Sequence, residues 1–154
     1  MRQELLTQLK SIKITSKQSV IKTYDPMFID LFPKTYQCLN SVSAYELLKY
    51  FPNHRDYSKL SCYSEINIII DGFDYPIHDE NPRKILSLVT YVAPEFSTGT
   101  LMYDKDKTYV SEVEWRQNRT LVFAGLTGVT WHSYKVEQKK PRLTVNTFLV
   151  NDMD

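Results

Sequence analysis

The chain has 154 residues, with 19 basic against 18 acidic side chains for a net charge of +1, and is 42% hydrophobic and 24% charged. This balance excludes a disordered or fibrous chain, and it lacks the basic excess that neutralising many nucleic-acid phosphates demands. One domain of this length buries about two-thirds of the surface its unfolded chain exposes, so no covalent staple is required.

Aromatic residues are the unusual feature: Tyr 11, Phe 7 and Trp 2 make 13% of the chain and favour pleated sheet with packed rings. Cys38 and Cys62 could pair in principle, but two cysteines in such a chain need no disulfide framework, and a reducing compartment is the default. Residues Met1 to Lys10 lack the basic-then-apolar run of a secretory signal, and no apolar stretch approaches the roughly 20 residues of a membrane span. A cytoplasmic protein with no membrane partner is therefore expected.

In chain order, Arg2 to Ile14 carries Leu5, Leu6, Leu9 and Ile12 at helical spacing, and Asp25 to Leu31 offers one further helical turn. Pro26, Pro33 and Pro52 punctuate this part, and Ala44 to Phe51 reads as a short helix opened by Ser43. From Ser64 onward the texture becomes short β-rich runs: Glu65 to Ile70, Ile85 to Val92, Gly99 to Tyr103, Tyr109 to Trp115, Thr120 to Ala124, Thr130 to Tyr134 and Arg142 to Leu149. Asp71-Gly72, Ala93-Pro94, Gln117-Asn118 and Gly125 to Gly128 supply turns between them. Seven or eight such strands in series predict an antiparallel sandwich or jelly roll. A propeller is disfavoured because no repeat is visible, and a parallel sheet because helical crossovers are missing. The expected fold class is mainly β with N-terminal helices, in a single domain over 1–154: a helical and extended support at 1–62 and a β core at 63–150.

The densest polar cluster is His78-Asp79-Glu80-Asn81-Pro82-Arg83-Lys84. On extended chain, residues i and i+2 share a face, so the His78 imidazole and the Glu80 carboxylate can meet. With His132 they have the composition of a 2-His-1-carboxylate set, which leaves positions open on non-haem Fe(II). With three histidines in the chain, an H-x-[DE] triplet and a distant His also arise by chance. Arg142 and Thr144 share a face of the last strand, and their fork and hydroxyl suit a carboxylate; the alternative is an exposed strand charge beside Lys139-Lys140. Tyr91, Trp131 and Tyr134 could wall a pocket or be plain core, and His54 reads as a solvated loop residue. No P-loop, dinucleotide glycine pattern, Cys-x-x-Cys site or Gly-x-Ser-x-Gly elbow is present.

From 63 to 150 the chain resembles the Fe(II)- and 2-oxoglutarate-dependent oxygenases, especially the small prolyl-hydroxylase-like type of bacteria and phages. The resemblance rests on Asn67, Gly72, Tyr75 and His78-x-Glu80, then Lys84 entering Ile85 to Val92, and Gly99-Thr100-Leu101. It continues through Asn118-Arg119, Trp131-His132-Ser133-Tyr134 and Arg142-Leu143-Thr144-Val145-Asn146, in the family's order. It implies a double-stranded β-helix and Fe(II) held by His78, Glu80 and His132. It also implies 2-oxoglutarate paired with Arg142, assisted by Thr144, with Asn67 or Tyr63 lining its pocket. The implied reaction takes O2 and a peptide or small-molecule substrate, hydroxylates a C–H bond and releases succinate and CO2. The family's usual carboxylate is Asp, whereas here the i+2 residue is Glu80, and a backbone bulge would present Asp79 instead. Two other readings stay open: a non-catalytic jelly-roll binding module, and a cupin-like metalloenzyme that uses no oxo acid. Specificity would come from the N-terminal elements and the loops around Phe96 and Leu126.

Overall fold

The computed structural model describes residues 18–22, 34–51, 59–69, 73–136 and 141–151. The expected helix at 2–14, the helical turn at 25–31, the Asp71-Gly72 turn, His54 and Lys139-Lys140 lie outside the described residues.

Four antiparallel ladders are nested about one turn. At the tip, β5 (Thr100–Tyr103) pairs with β6 (Tyr109–Val113). Outside it β4 (Lys84–Ala93) pairs with β7 (Thr120–Ala124), then β3 (Phe73–His78) with β8 (Trp131–Val136), and last β2 (Leu60–Ile69) with β9 (Arg142–Asn151). The tip is set locally, because the Asp104 carboxylate accepts the amide N–H of Asp106 at 2.9 Å and of Thr108 at 2.8 Å. Strands β2 to β9 thus form one long hairpin, folded over so that its ladders fall into two sheets. The larger sheet has the order β1-β2-β9-β4-β7, with β1 (Gln18–Lys22) on its edge, and the smaller β3-β8-β5-β6. This is the double-stranded β-helix, or jelly roll, expected from the sequence.

Two strands have no clear signal in the sequence. β3 contains Pro76, which lacks an N–H and argues against a strand; it is tolerated because β3 is an edge strand, and the register shifts between Tyr75 and His78. β1 is a five-residue edge strand with too short a pattern to register. The helix α1 (Lys34–Leu48) begins well before Ser43, the expected cap. Ala44, Leu47 and Leu48, at i, i+3 and i+4, pack on the larger sheet, so the apolar stripe rather than the local Ser sets this helix. Cys62 is a half-buried free thiol whose pKa burial raises.

Period-2 alternation divides the larger sheet. Leu86, Leu88 and Leu149 face α1, while Arg142, Thr144, Asn146 and Phe148 face the interior between the sheets. Every residue of β9 is buried, because the helix covers one face and the second sheet the other. Gly99 is needed where β5 begins: a Cβ there would lie 1.9 Å from the Val113 carbonyl oxygen. No described helix is long and apolar enough to cross a membrane.

Leu149 is fully buried under α1. Leu149→Ala should cost about 2–5 kcal/mol through lost burial and a residual cavity, read as a lower urea midpoint at unchanged slope.

Candidate active site

The nested register places His78 directly opposite His132 across the β3–β8 ladder, with ring centroids 4.2 Å apart. Each Nδ1 sits by the backbone carbonyl two residues before it: His78 by Pro76 at 2.9 Å and His132 by Thr130 at 3.1 Å. A carbonyl only accepts, so both Nδ1 atoms carry a proton, and Nε2 is the atom of each ring that would take a metal or an acid. Burial, followed by the neighbouring His78, holds the His132 imidazole down at about 4, so it is neutral at pH 7. The Phe123 ring meets His132 edge-on at 4.8 Å and fixes its orientation.

Glu80 follows β3 and is 7% exposed. Both carboxylate oxygens are engaged: Oε1 accepts from the Ser87 hydroxyl at 2.8 Å and Oε2 from the Lys84 ammonium at 2.7 Å. Asn81 builds this arrangement, since its side chain accepts the Arg83 N–H at 2.9 Å and its carbonyl the Lys84 N–H at 2.8 Å, folding Lys84 back toward Glu80. Lys84 Nζ also lies 3.5 Å from the centre of the Phe148 ring. Asp79 is engaged elsewhere, where its carboxylate accepts the Gly128 N–H at 2.7 Å and ties the 125–130 loop to the end of β3. Among the described residues, no three His, Cys, Asp or Glu side chains gather into a complete ligand set. Two imidazoles meet, and the nearby carboxylate is turned to Lys84 and Ser87.

His78, His132, Glu80, Lys84, Phe123 and Phe148 line one cavity of about 260 Å³. Arg142 lies in its wall, 1% exposed. Its guanidinium carbon is 4.3 Å from the Tyr134 ring centre, 5.0 Å from Trp115 and 5.6 Å from Tyr91. No carboxylate forms a salt bridge with it among the described residues, and its Nε and Nη2 atoms have no hydrogen-bond partner. The Thr144 hydroxyl and the Asn146 side-chain oxygen, two and four residues along the same face, are likewise buried without a partner. Burial lowers the Arg142 pKa and raises that of the Tyr134 phenol. The rings are held in turn: Tyr91 stacks on Trp115 at 4.5 Å and bonds the Thr100 hydroxyl at 2.7 Å, and Trp115 Nε1 donates to the Pro94 carbonyl at 2.9 Å.

Of the residues singled out in the sequence, His78, Glu80, His132, Arg142, Thr144 and Asn67 line this cavity. Tyr63 does not; its ring packs 5.3 Å from that of Phe148. Asn146, Ser87 and Trp115 join the site without having been singled out. Asn146 was accessible by counting two further along the Arg142–Thr144 face, whereas Ser87 and Trp115 reach the site only through the fold.

No family model matches the sequence, and no curated protein matches it. Solved structures do. A viral collagen prolyl hydroxylase from Paramecium bursaria Chlorella virus-1, in complex with 2-oxoglutarate, is similar at TM-score 0.64 and 11% identity, over 99% of this chain and 92% of that one. A Trichoplax adhaerens prolyl hydroxylase in complex with a hypoxia inducible factor peptide fragment is similar at TM-score 0.65 and 12% identity, over 97% and 76%. A Pseudomonas putida prolyl-4-hydroxylase is similar at TM-score 0.56 and 17% identity, over 87% and 68%. The likeness is one of fold.

His132 has a pKa of about 4 in the folded protein against 6.5 for the free side chain, so the unfolded chain binds the extra proton first. Its contribution to stability is present above the unfolded value and is lost as pH falls through the folded one. In a chelating buffer, His132→Gln should remove up to about 3 kcal/mol of that acid-side loss, read from urea midpoints across this pH range.

Proposed function

We propose that this chain is an Fe(II)- and 2-oxoglutarate-dependent oxygenase that hydroxylates a C–H bond of a peptide or small molecule, working as a single domain. The observation that carries the proposal is Arg142: a buried guanidinium, facing rings and carrying unpartnered donors, in a cavity that also holds two imidazoles. A buried cation costs several kcal/mol unless it is paired, and the three rings offset only part of that. A ligand carboxylate between Arg142 and Thr144 would complete the pairing.

The donor chemistry fits the metal as well. Two imidazoles with Nδ1 protonated present Nε2 from adjacent strands, and Glu80 is a carboxylate on the same cavity. When bound, Fe(II) would couple decarboxylation of 2-oxoglutarate to insertion of one oxygen atom of O2 into a substrate C–H bond, the other oxygen leaving in succinate. The chain's own residues then have distinct roles. Arg142 and Thr144 would hold the far carboxylate of the oxo acid, while Tyr91, Trp115 and Tyr134 keep water from the guanidinium. His78 and His132 would hold the metal at the other side of the cavity, their tautomers fixed by the Pro76 and Thr130 carbonyls. The lining charges are balanced, with Glu65 and Glu80 against Lys84 and Arg142. A divalent cation and a dianionic acid entering together preserve that balance. A metalloenzyme without an oxo acid would leave the Arg142 donors without a role. The fold neighbours support the same chemistry, since one is a hydroxylase bound to 2-oxoglutarate and another holds a peptide fragment.

The test is an anaerobic titration of the protein with Fe(II) and 2-oxoglutarate. A weak visible charge-transfer band that needs both components is expected; its absence from the wild type would sink the proposal. Arg142→Met should weaken 2-oxoglutarate binding by about two orders of magnitude. It should leave metal affinity and the melting temperature largely unchanged, because it removes a buried charge together with its desolvation cost.

A further inference from the structure

Glu80 is claimed twice. In the proposed function its carboxylate serves the metal, yet both of its oxygens already have partners in Ser87 and Lys84, and the Lys84 ammonium lies on the same cavity as the two imidazoles. We infer that Lys84 is a positioning residue that competes with the metal for Glu80: it holds the carboxylate in place, and a divalent cation binds only by displacing it. The inference rests on the metal reading above.

Three features support it. The contact is built rather than incidental, since the Asn81 turn folds Lys84 back onto Glu80. The backbone at Lys84 is pinned from behind: the Gly125 N–H donates to the Ile85 carbonyl at 3.0 Å, and a Cβ at Gly125 would lie 2.2 Å from the Lys84 carbonyl oxygen. In the same position the ammonium lies over the Phe148 ring, at 3.5 Å, a contact that can hold it at the cavity when it releases Glu80. Ser87 donates a single hydroxyl to the other oxygen and can remain bonded while a metal takes Oε2.

The competition predicts an unusual sign. Removing most side chains beside a metal site weakens binding, whereas Lys84→Met should tighten Mn(II) binding by about tenfold, measured calorimetrically without an oxo acid. Lys84→Arg keeps the cation and should bind Mn(II) no more tightly than the wild type. Equal or weaker binding by Lys84→Met, or equal tightening by both variants, would overturn the inference. His132→Ala, measured in parallel, separates the two levels: if it leaves Mn(II) affinity unchanged, the metal reading falls and this inference with it. If it abolishes binding while Lys84→Met gains nothing, the Lys84 inference alone falls. An independent measurement needs no variant. In the wild type, Zn(II) should speed acylation of Lys84 by an amine-reactive reagent, followed by mass spectrometry, and an unchanged or slower rate contradicts displacement.

Discussion

Arg142, 1% exposed, brings a positive charge into the cavity wall, where three aromatic rings face it and, among the described residues, no carboxylate forms a salt bridge with it. Ring quadrupoles return about 0.5–2 kcal/mol each for a desolvated cation, less than a buried charge costs. The difference is carried by the surrounding fold, above all by β9, which is buried along its full length between α1 and the second sheet. A site that leaves a cation short of a counter-ion is arranged for an anionic ligand. The proposed chemistry depends on this arrangement more than on any other contact.

The nested hairpin puts the other groups in range. Because the ladders share one turn, pairing at the tip propagates outward and sets His78 opposite His132, although they lie far apart in sequence. The same folding places the inner face of β9 across from these two rings, so one cavity receives imidazoles from the smaller sheet and Arg142 from the larger. The near-neutral composition acquires a local meaning here: two carboxylates and two cations line this cavity, and Glu80 pairs with Lys84 while Arg142 forms no salt bridge among the described residues.

Much of this was legible in the sequence, and for definite reasons. Period-2 alternation put Arg142 and Thr144 on one face, and the i, i+2 reading put His78 and Glu80 on one cavity, although the carboxylate turns to Lys84 and Ser87. The run of short strands separated by turns announced the jelly roll. The sequence did not reveal β3, because Pro76 hides an edge strand, or the start of α1, because Ser43 looks like a cap while lying mid-helix. Trp115 and Ser87 reach the site by long-range folding, which no local pattern encodes. The Lys84–Glu80 pair was equally hidden: an i, i+4 spacing outside a helix carries no expectation of contact, and here the Asn81 turn creates it. Nor did any local pattern signal the tertiary contact by which the Gly128 amide engages Asp79.

The most direct measurement is a crystal structure of the protein with Mn(II) and 2-oxoglutarate, with the ion located by anomalous scattering. The expected result is one ion bound by Nε2 of both His78 and His132 and by a Glu80 oxygen, with the far carboxylate of the acid on Arg142 and Thr144. An ion elsewhere, or an acid that leaves the Arg142 guanidinium unpaired, would contradict it.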